Sequence, residues 1–219
     1  GRTYINTKQR RLPINLDAPV FRLSHTAGIK GLLCGEYNYN VTEFNIYKHF
    51  WMRSWGKIDI NLRTGAQWNK VPYPLLIMPA ANLSYIVEEG TFTLLNNMEF
   101  LNDRYASIDA SWDLNGKIFN RIPLLKKLKW REYIGIKGLW GKVTDKNNLS
   151  LLQNLNDDTL MLFPDGVNIM TPKHPYVEVI AGIHNIFKVL HIQYVRRLSY
   201  NELPTAHKHG IRFMLQITF

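Results

Sequence analysis

The sequence predicts an all-β fold of long antiparallel strands, and three observations support that prediction. The first is an unbroken alternation of apolar and polar residues along the final segment, 209–219. A period of two residues is typical of a strand with one apolar and one polar face. The second is the return of this pattern in earlier segments, and the third is the presence of turn residues between them.

Eight strands are expected, together with the end of a further strand at residues 1–7. They are 20–33, 37–52, 57–68, 94–113, 130–141, 176–183, 189–198 and 209–219. Most of them reach the about 9–11 residues that a tilted strand needs to cross a bilayer. The alternation slips in phase near Thr42 and Glu43, which predicts a β-bulge there.

The last strand ends on an aromatic residue of its apolar face. Phe213, Leu215, Ile217 and Phe219 all fall on that face. The ends of soluble chains usually fray and are polar. A terminal aromatic residue in an amphipathic strand resembles the closing strand of a bacterial outer-membrane barrel, where it also serves as the assembly signal.

Composition excludes a helical membrane protein but permits a membrane barrel. Hydrophobic residues make up 46% of the 219 residues, and prolines interrupt the longest apolar run, 74–81. A hydropathy search misses barrel strands, because apolar residues that face lipid alternate with polar residues that face the lumen and the mean hydropathy is low. The net charge of +10 suits either nucleic acid or anionic lipid headgroups. The single Cys34 excludes an internal disulfide.

The connections fall into two groups when the strands alternate up and down. One end receives 8–19, 53–56, 114–129 and 184–188, and the other receives 34–36, 69–93, 142–175 and 199–208. Three long connections share the second end, as outer loops of a membrane barrel do. The link 114–129 is the exception, and its Leu and Lys residues predict an interfacial segment. The apolar loop 69–93 is expected to pack against the rest of the chain.

Charged residues on the polar faces are expected to point inward, where they brace the wall or hold loop 69–93. This predicted lumen charge network consists of Asp59, Arg63, Glu99, Asp109, Arg131, Lys137, Glu178 and Arg212. The alternative is that these charges tune a pore. Interfacial anchors are predicted at Trp55, Trp68, Trp112, Trp130 and Trp140.

Three chemical sites are weaker interpretations of the same residues. Asp109 and Ser111 with His184 or His191 contain the groups of a hydrolase site, but wet interiors are routinely filled by such residues. The spacing of metal ligands is not found at His174, His207 and His209. Segment 88–90 is acidic, but it lacks the alternating acidic pattern of a calcium loop. No catalytic residue, metal or cofactor is therefore expected.

The basic run 126–131 has two interpretations. It binds nucleic acid, with Trp130 as a stacking platform, or it anchors the chain at a membrane surface. Its place at the start of a strand favours anchoring, and no nucleic-acid partner is expected.

Several motifs together resemble one family. They are Pro72-Tyr-Pro-Leu-Leu76, the segments 97–105, 120–132 and 178–187, and the terminal Phe219. Over most of its length the chain is similar to the C-terminal part of a Bacteroidota outer-membrane barrel family of unassigned function. Longer members of that family carry an N-terminal carboxypeptidase-regulatory-like domain.

A more distant resemblance links the strand order, and the long loop before residue 97, to the barrel of BamA/TamA-type assembly factors. That barrel has about sixteen strands, within the range known for membrane barrels, and the resemblance implies that this chain is its second half. The Arg-Gly-Tyr loop motif of those factors is absent, since Ala81-Asn-Leu-Ser-Tyr85 stands in its place. Insertase activity is therefore not implied.

The predicted fold is an antiparallel transmembrane β-barrel, of which residues 1–219 supply the eight to nine C-terminal strands as part of a longer chain. Lipid does not tolerate an open sheet edge, so the remaining strands must come from the same or another chain. The expected function is that of a non-enzymatic scaffold or assembly-associated protein in the bacterial outer membrane. Its expected partners are outer-membrane lipid and lipopolysaccharide, with other outer-membrane or assembly-machinery proteins as further candidates.

Two other functions remain open at this point. One is a transporter or channel in which loop 69–93 is the plug or gate. The other is a soluble β-barrel that binds an apolar ligand, and such a protein would fold without detergent.

Overall fold

The structure is a computed structural model, and it describes residues 3–8, 10–13, 17–149, 151 and 160–216. The strands, in chain order, are β1 (Tyr4–Asn6), β2 (Arg11–Pro13), β3 (Val20–Gly28), β4 (Tyr39–Trp51), β5 (Lys57–Gln67), β6 (Phe100–Leu101), β7 (Arg104–Asp113), β8 (Arg131–Lys142), β9 (Asn168–Ile169), β10 (Tyr176–Ile186), β11 (Leu190–Arg197) and β12 (His209–Leu215). Among the described residues there is one short α-helix, α1 (Pro123–Leu128), which precedes β8. Among the described residues, no helix has the length and apolar character that crossing a membrane requires.

A single antiparallel sheet dominates the described part of the chain. Its eight strands lie in the order β12-β11-β10-β8-β7-β5-β4-β3. Every neighbouring pair is antiparallel. The prediction of an all-β protein with eight long antiparallel strands is therefore confirmed.

The up-and-down order of the strands places the connections at two ends of the sheet. Connections 29–38, 68–103, 143–175 and 198–208 share one end, which we call the long-loop end. Connections 52–56, 114–130 and 187–189 share the other, which we call the short-turn end. This is the predicted sorting, and link 114–130, which contains α1, is again the exception.

The predicted bulge in β4 is wrong. The register of β4 against β5 runs without a break from the pair Val41–Gln67 to the pair Trp51–Lys57. The alternation slips because Val41 lies on the same face as Gln67 and is buried there. An apolar residue therefore occupies an inner-face position of β4, on the same face as polar residues such as Glu43 and Asn45.

Two further boundaries differ from the prediction. The expected strand 94–113 begins only at Arg104, because Leu94, Leu95 and Phe100 leave the sheet plane and are buried in the core. The N-terminal strand at residues 4–6 pairs with β2 in a separate hairpin. The closing strand is described as far as Gln216, so Ile217 and Phe219 lie outside the described residues.

The two faces of the sheet have opposite character. On the outer face, Leu23 and Leu215 leave 72% and 78% of their surface exposed. Other exposed apolar side chains of this face are Phe21, Leu62, Ile134, Ile136, Trp140, Ile211 and Phe213. Buried charged and polar side chains of the inner face are Gln67, Lys137, Glu178, His184, His191, Gln193 and Arg197. Exposed apolar side chains are therefore concentrated on the outer face, and buried charges on the inner face.

Lys48 departs from the apolar character of the outer face. It lies in the same cross-strand row as Ile60. Its amino group donates a hydrogen bond to the carbonyl oxygen of Asp17, in the segment that precedes β3, and it lies 5.2 Å from the ring centroid of Phe50. The cation thus reaches toward the short-turn end.

The core lies between the inner face and the long connections that cover it. The ring of Tyr176, on β10, packs edge-on against Phe92 and Phe100 at centroid distances of 5.5 and 6.2 Å. Leu139 of β8 and Met170 of connection 143–175 belong to the same buried cluster. The apolar loop 69–93 is therefore packed on the sheet, which confirms that part of the prediction.

Candidate functional site on the inner face

Residues 69–103, which we call the plug segment, cross the inner face of the sheet. Three basic side chains of the sheet donate hydrogen bonds to its backbone carbonyl oxygens. Arg63 Nη1 lies 3.3 Å from the oxygen of Gly90, and Lys137 Nζ lies 2.7 Å from that of Thr91. Arg212 Nη2 lies 2.8 Å from the oxygen of Thr93. Cations of β5, β8 and β12 thus bind one short stretch of the plug segment.

Glu178 of β10, which is negatively charged, binds the next backbone N–H groups of the plug segment. Its carboxylate accepts hydrogen bonds from the N–H groups of Thr93, at 2.9 Å, and Leu94, at 3.2 Å. The hydroxyl of Tyr176 donates to the same carboxylate at 3.0 Å. A buried carboxylate with three donors is fully compensated for its loss of water.

A buried ion pair fixes the far end of the plug segment. Arg197 Nη2, on β11, lies 2.6 Å from Glu99 Oε1, and the two side chains are 0% and 1% exposed. Arg197 also donates to the carbonyl oxygens of Ser199 and Tyr200, at 2.9 and 3.0 Å. Its guanidinium lies 4.9 Å from the ring centroid of Tyr176. The pair therefore joins the plug segment, β11 and the following connection.

The plug segment also reaches the edge strand of the sheet. The N–H of Phe213 donates to the carbonyl oxygen of Tyr85, and the N–H of Val87 donates to that of Phe213, both at 2.8 Å. These bonds form a short parallel bridge on the free side of β12. The plug segment thus covers the β12 edge around one residue.

The predicted charge network divides between the plug segment and the region beneath it. Arg63, Lys137, Glu178 and Arg212 contact the plug segment as described, and Glu99 belongs to it. Asp109 lies 3.7 Å from Lys137. Asp59 pairs with Lys57 at 2.8 Å, and Arg131 lines a cavity below.

Arg197 was absent from the predicted network. An alternation counted along β11 from His191 and Gln193 places position 197 on the inner face. That pattern was the only signal in the sequence, because the partner Glu99 lies 98 positions away along the chain.

We expect the Glu178→Gln variant to loosen the plug segment. Gln keeps the shape of the side chain but replaces charged acceptors with weaker ones, so the free energy of unfolding should fall by about 1.5–3 kcal/mol. Limited proteolysis within residues 82–90 should become faster. Glu202→Gln, at an exposed position, is the matched control and should change neither measurement. Identical cleavage rates for Glu178→Gln and the wild type would show that this carboxylate does not hold the segment.

A polar chamber of about 580 Å³ lies under the plug segment. Asp109, Ser111, His184 and His191 all line it. The ring of His184 stacks on Tyr133, and the ring of His191 is also near, each at a centroid distance of 4.3 Å. Here the sequence-based residues of a hydrolase site do come together.

Their hydrogen bonds do not form a nucleophile and base. His184 Nε2 is 3.1 Å from the amide nitrogen of Gln193, and His184 Nδ1 is 4.0 Å from Asp113 Oδ2. No serine–histidine hydrogen bond is found among the described residues, so the geometry does not support acyl transfer.

Metal-binding candidates are dispersed. The part of the chain that the structure describes contains no group of three or more His, Cys, Asp or Glu residues able to hold a metal ion. His174 packs against Tyr200 at 4.6 Å, and His209 stacks near Tyr194 at 6.4 Å.

The five predicted tryptophan anchors lie toward the two ends of the sheet. Trp55 and Trp112 are adjacent near the short-turn end, with ring centroids 6.2 Å apart, and Trp130 immediately precedes β8 at the same end. Trp68 and Trp140 lie toward the long-loop end. Ile58, the cross-strand partner of Trp112, is separated from Trp68 by about 33 Å of extended strand.

These features define an all-β protein whose one large sheet buries its charges under a plug segment and exposes an apolar outer face. A family model described as the C-terminal domain of DUF5686, a family of unknown function, matches residues 1–148. The chain therefore belongs to that family. No curated protein and no solved structure matches it.

Proposed function

We propose that the chain forms part of a membrane-embedded β-barrel of the bacterial outer membrane and acts as a non-enzymatic scaffold or assembly-associated protein. The observation that supports this most is the apolar outer face. A row such as Ile46, Leu62 and Ile108 is continuous across three neighbouring strands. Contiguous apolar patches of this kind mark membrane or partner contacts.

Hydrocarbon is the energetically favourable surrounding for that face. Moving a large apolar side chain out of water contributes about 1.5–3 kcal/mol. The inner face does not require hydrocarbon, because the plug segment and its hydrogen bonds already cover it. A soluble barrel with an apolar ligand inside would require the opposite distribution.

The edges of the sheet at β3 and β12 support a barrel that further strands complete. In the described structure β3 pairs only with β4, and β12 pairs with β11 and, at one residue, with the plug segment. Open edges are not tolerated in lipid. In this proposal, additional strands from the same polypeptide or another chain pair with both edges.

Orientation follows from the sorting of the connections. The long-loop end faces outward and the short-turn end faces the periplasm, as in other outer-membrane barrels. The apolar residues of β12, Phe213 and Leu215, belong to the proposed assembly signal, whose remaining members Ile217 and Phe219 lie outside the described residues. Expected contacts are outer-membrane lipid, lipopolysaccharide and other outer-membrane or assembly-machinery proteins.

The proposal places this family among Bacteroidota outer-membrane barrels, with a distant relation to BamA/TamA-type assembly factors. The up-and-down strand order and the long segment before β7 support that relation. The plug segment supports a scaffold, because hydrogen bonds from β5, β8, β10 and β12 hold it against the inner face.

Fractionation of the full-length protein tests this function. We expect it in the outer-membrane fraction, released only by detergent and aggregating when detergent is removed. A folded monomer in detergent-free buffer would overturn the proposal.

A gated transporter or channel is the second candidate, and the polar chamber favours it. A space of about 580 Å³ beneath the plug segment would become a water path if that segment moved. Planar-bilayer conductance separates the two functions. If the protein is a scaffold, we expect no conductance. Steady or voltage-gated conductance would favour the transporter.

A further inference from the structure

A concave groove of about 390 Å³ lies on the outer face near the long-loop end. Two cross-strand rows build it. The upper row is Thr42–Ala66–Arg104–Lys142, and the lower row is Phe44–Thr64–Ala106–Trp140. Ala66 in the upper row and Thr64 and Ala106 in the lower row are smaller side chains, and they leave a depression between the rings of Phe44 and Trp140. Its walls are mostly apolar, which is the character that an acyl chain requires.

Two cations lie side by side at the upper border of this groove. Arg104 and Lys142 are directly opposite each other on neighbouring strands, and both line the groove. Like charges in such a cross-strand pair repel and destabilise a sheet. Among the described residues, neither one forms an ion pair with a carboxylate. The pair therefore has no carboxylate partner among the described residues, and a bound anion would relieve the repulsion.

One of the cations is held in position by an aromatic neighbour. The guanidinium of Arg104 lies 5.6 Å from the ring centroid of Trp68. The indole N–H of Trp68 donates to the hydroxyl of Thr42 at 2.9 Å, which fixes the ring beside the groove. A stacked arginine beside a lysine is a suitable donor set for phosphate oxygens.

We propose that this groove binds a phosphorylated membrane lipid, with the phosphate between Arg104 and Lys142 and an acyl chain between Phe44 and Trp140. The site rests on the proposed function, because it requires the outer face to lie in lipid. Charge complementarity and the apolar groove together favour a lipid over free phosphate, which would leave the groove empty.

Native mass spectrometry of the full-length, detergent-solubilised protein tests the site. The probes are phosphatidic acid and diacylglycerol with identical acyl chains, which differ only in the phosphate. We expect phosphatidic acid to be retained about tenfold or more better, because charge-assisted hydrogen bonds require the phosphate. Excess inorganic phosphate should not displace it.

Two variants and their controls assign the preference to the groove. The double variant R104Q/K142Q should lose the preference for phosphatidic acid. Its control, K30Q/K208Q, removes two exposed cations from connections at the long-loop end, outside the groove, and should keep it. Ala66→Leu should fill the groove and weaken retention of both lipids, whereas Ala110→Leu, elsewhere on the outer face of β7, should not.

Equal retention of the two lipids by the wild type would overturn the lipid site, as would an unchanged preference in R104Q/K142Q. Either result would leave the proposed function intact if the protein still fractionates with the outer membrane. A protein found outside the membrane would overturn both.

Discussion

Replacing Arg197 with Met is expected to lower the free energy of unfolding by about 3–5 kcal/mol, because it leaves the buried carboxylate of Glu99 without its partner. The methionine fills much of the same space, so the loss is chiefly electrostatic. Three carbonyl and carboxylate groups, of Ser199, Tyr200 and Glu99, lose donors at once. Unfolding in detergent, followed by tryptophan fluorescence, measures the change.

The double variant E99Q/R197M separates the charge from the packing. Gln at position 99 removes the unpaired charge, and it still offers an acceptor to the N–H of Asn96, which now donates to Glu99 at 2.9 Å. We expect the double variant to be more stable than Arg197→Met alone. Arg196→Met, on the outer face of the same strand, should be nearly neutral. Equal stability of Arg197→Met and Arg196→Met would show that the ion pair does not hold the plug segment.

Leu62→Lys is expected to destabilise the membrane-inserted protein by about 2–4 kcal/mol, the cost of a lysine near the midplane of a membrane barrel. Leu62 lies on the outer face between the two groups of tryptophans and is already partly exposed. In water, an added lysine at such a site costs almost nothing. The size of the effect therefore reports the surroundings of the outer face.

Leu83→Lys provides the matched control for this variant. Leu83 lies in the plug segment, is 72% exposed, and is more exposed than Leu62. We expect Leu83→Lys to leave stability within the error of the measurement. If Leu62→Lys were equally neutral, the outer face would be in contact with water.

The sequence predicted the sheet well because alternation is a local property. The strands 57–67 and 131–142 are close to their expected bounds, since every second residue reports its face directly. The alternation failed where tertiary packing overrode it. Val41 is apolar on the inner face, and residues 94–103 alternate poorly because they are buried on several sides.

The sequence patterns did not predict the path of the plug segment. That loop 69–93 packs was predictable from its apolar residues. The sheet residues that hold it bind backbone groups, such as the carbonyl oxygens of Gly90 and Thr91. Any amino acid supplies these groups, so the pattern of side chains does not reveal the contacts. The ion pair of Glu99 and Arg197 brings together two segments that are distant in sequence. The same is true of the cross-strand pair of Arg104 and Lys142, so neither contact was predictable from local patterns.

Site-directed spin labelling measures most directly whether the outer face lies in hydrocarbon. In the full-length protein with Cys34→Ser, single labels at Ile134 and Ile136 of the outer face are compared with labels at Asp109 and Ser111 of the chamber. We expect the first pair to be relaxed by lipid-soluble oxygen and shielded from a water-soluble nickel complex, and the second pair to show the reverse. Relaxation of the Ile134 and Ile136 labels by the nickel complex would contradict a membrane-facing sheet.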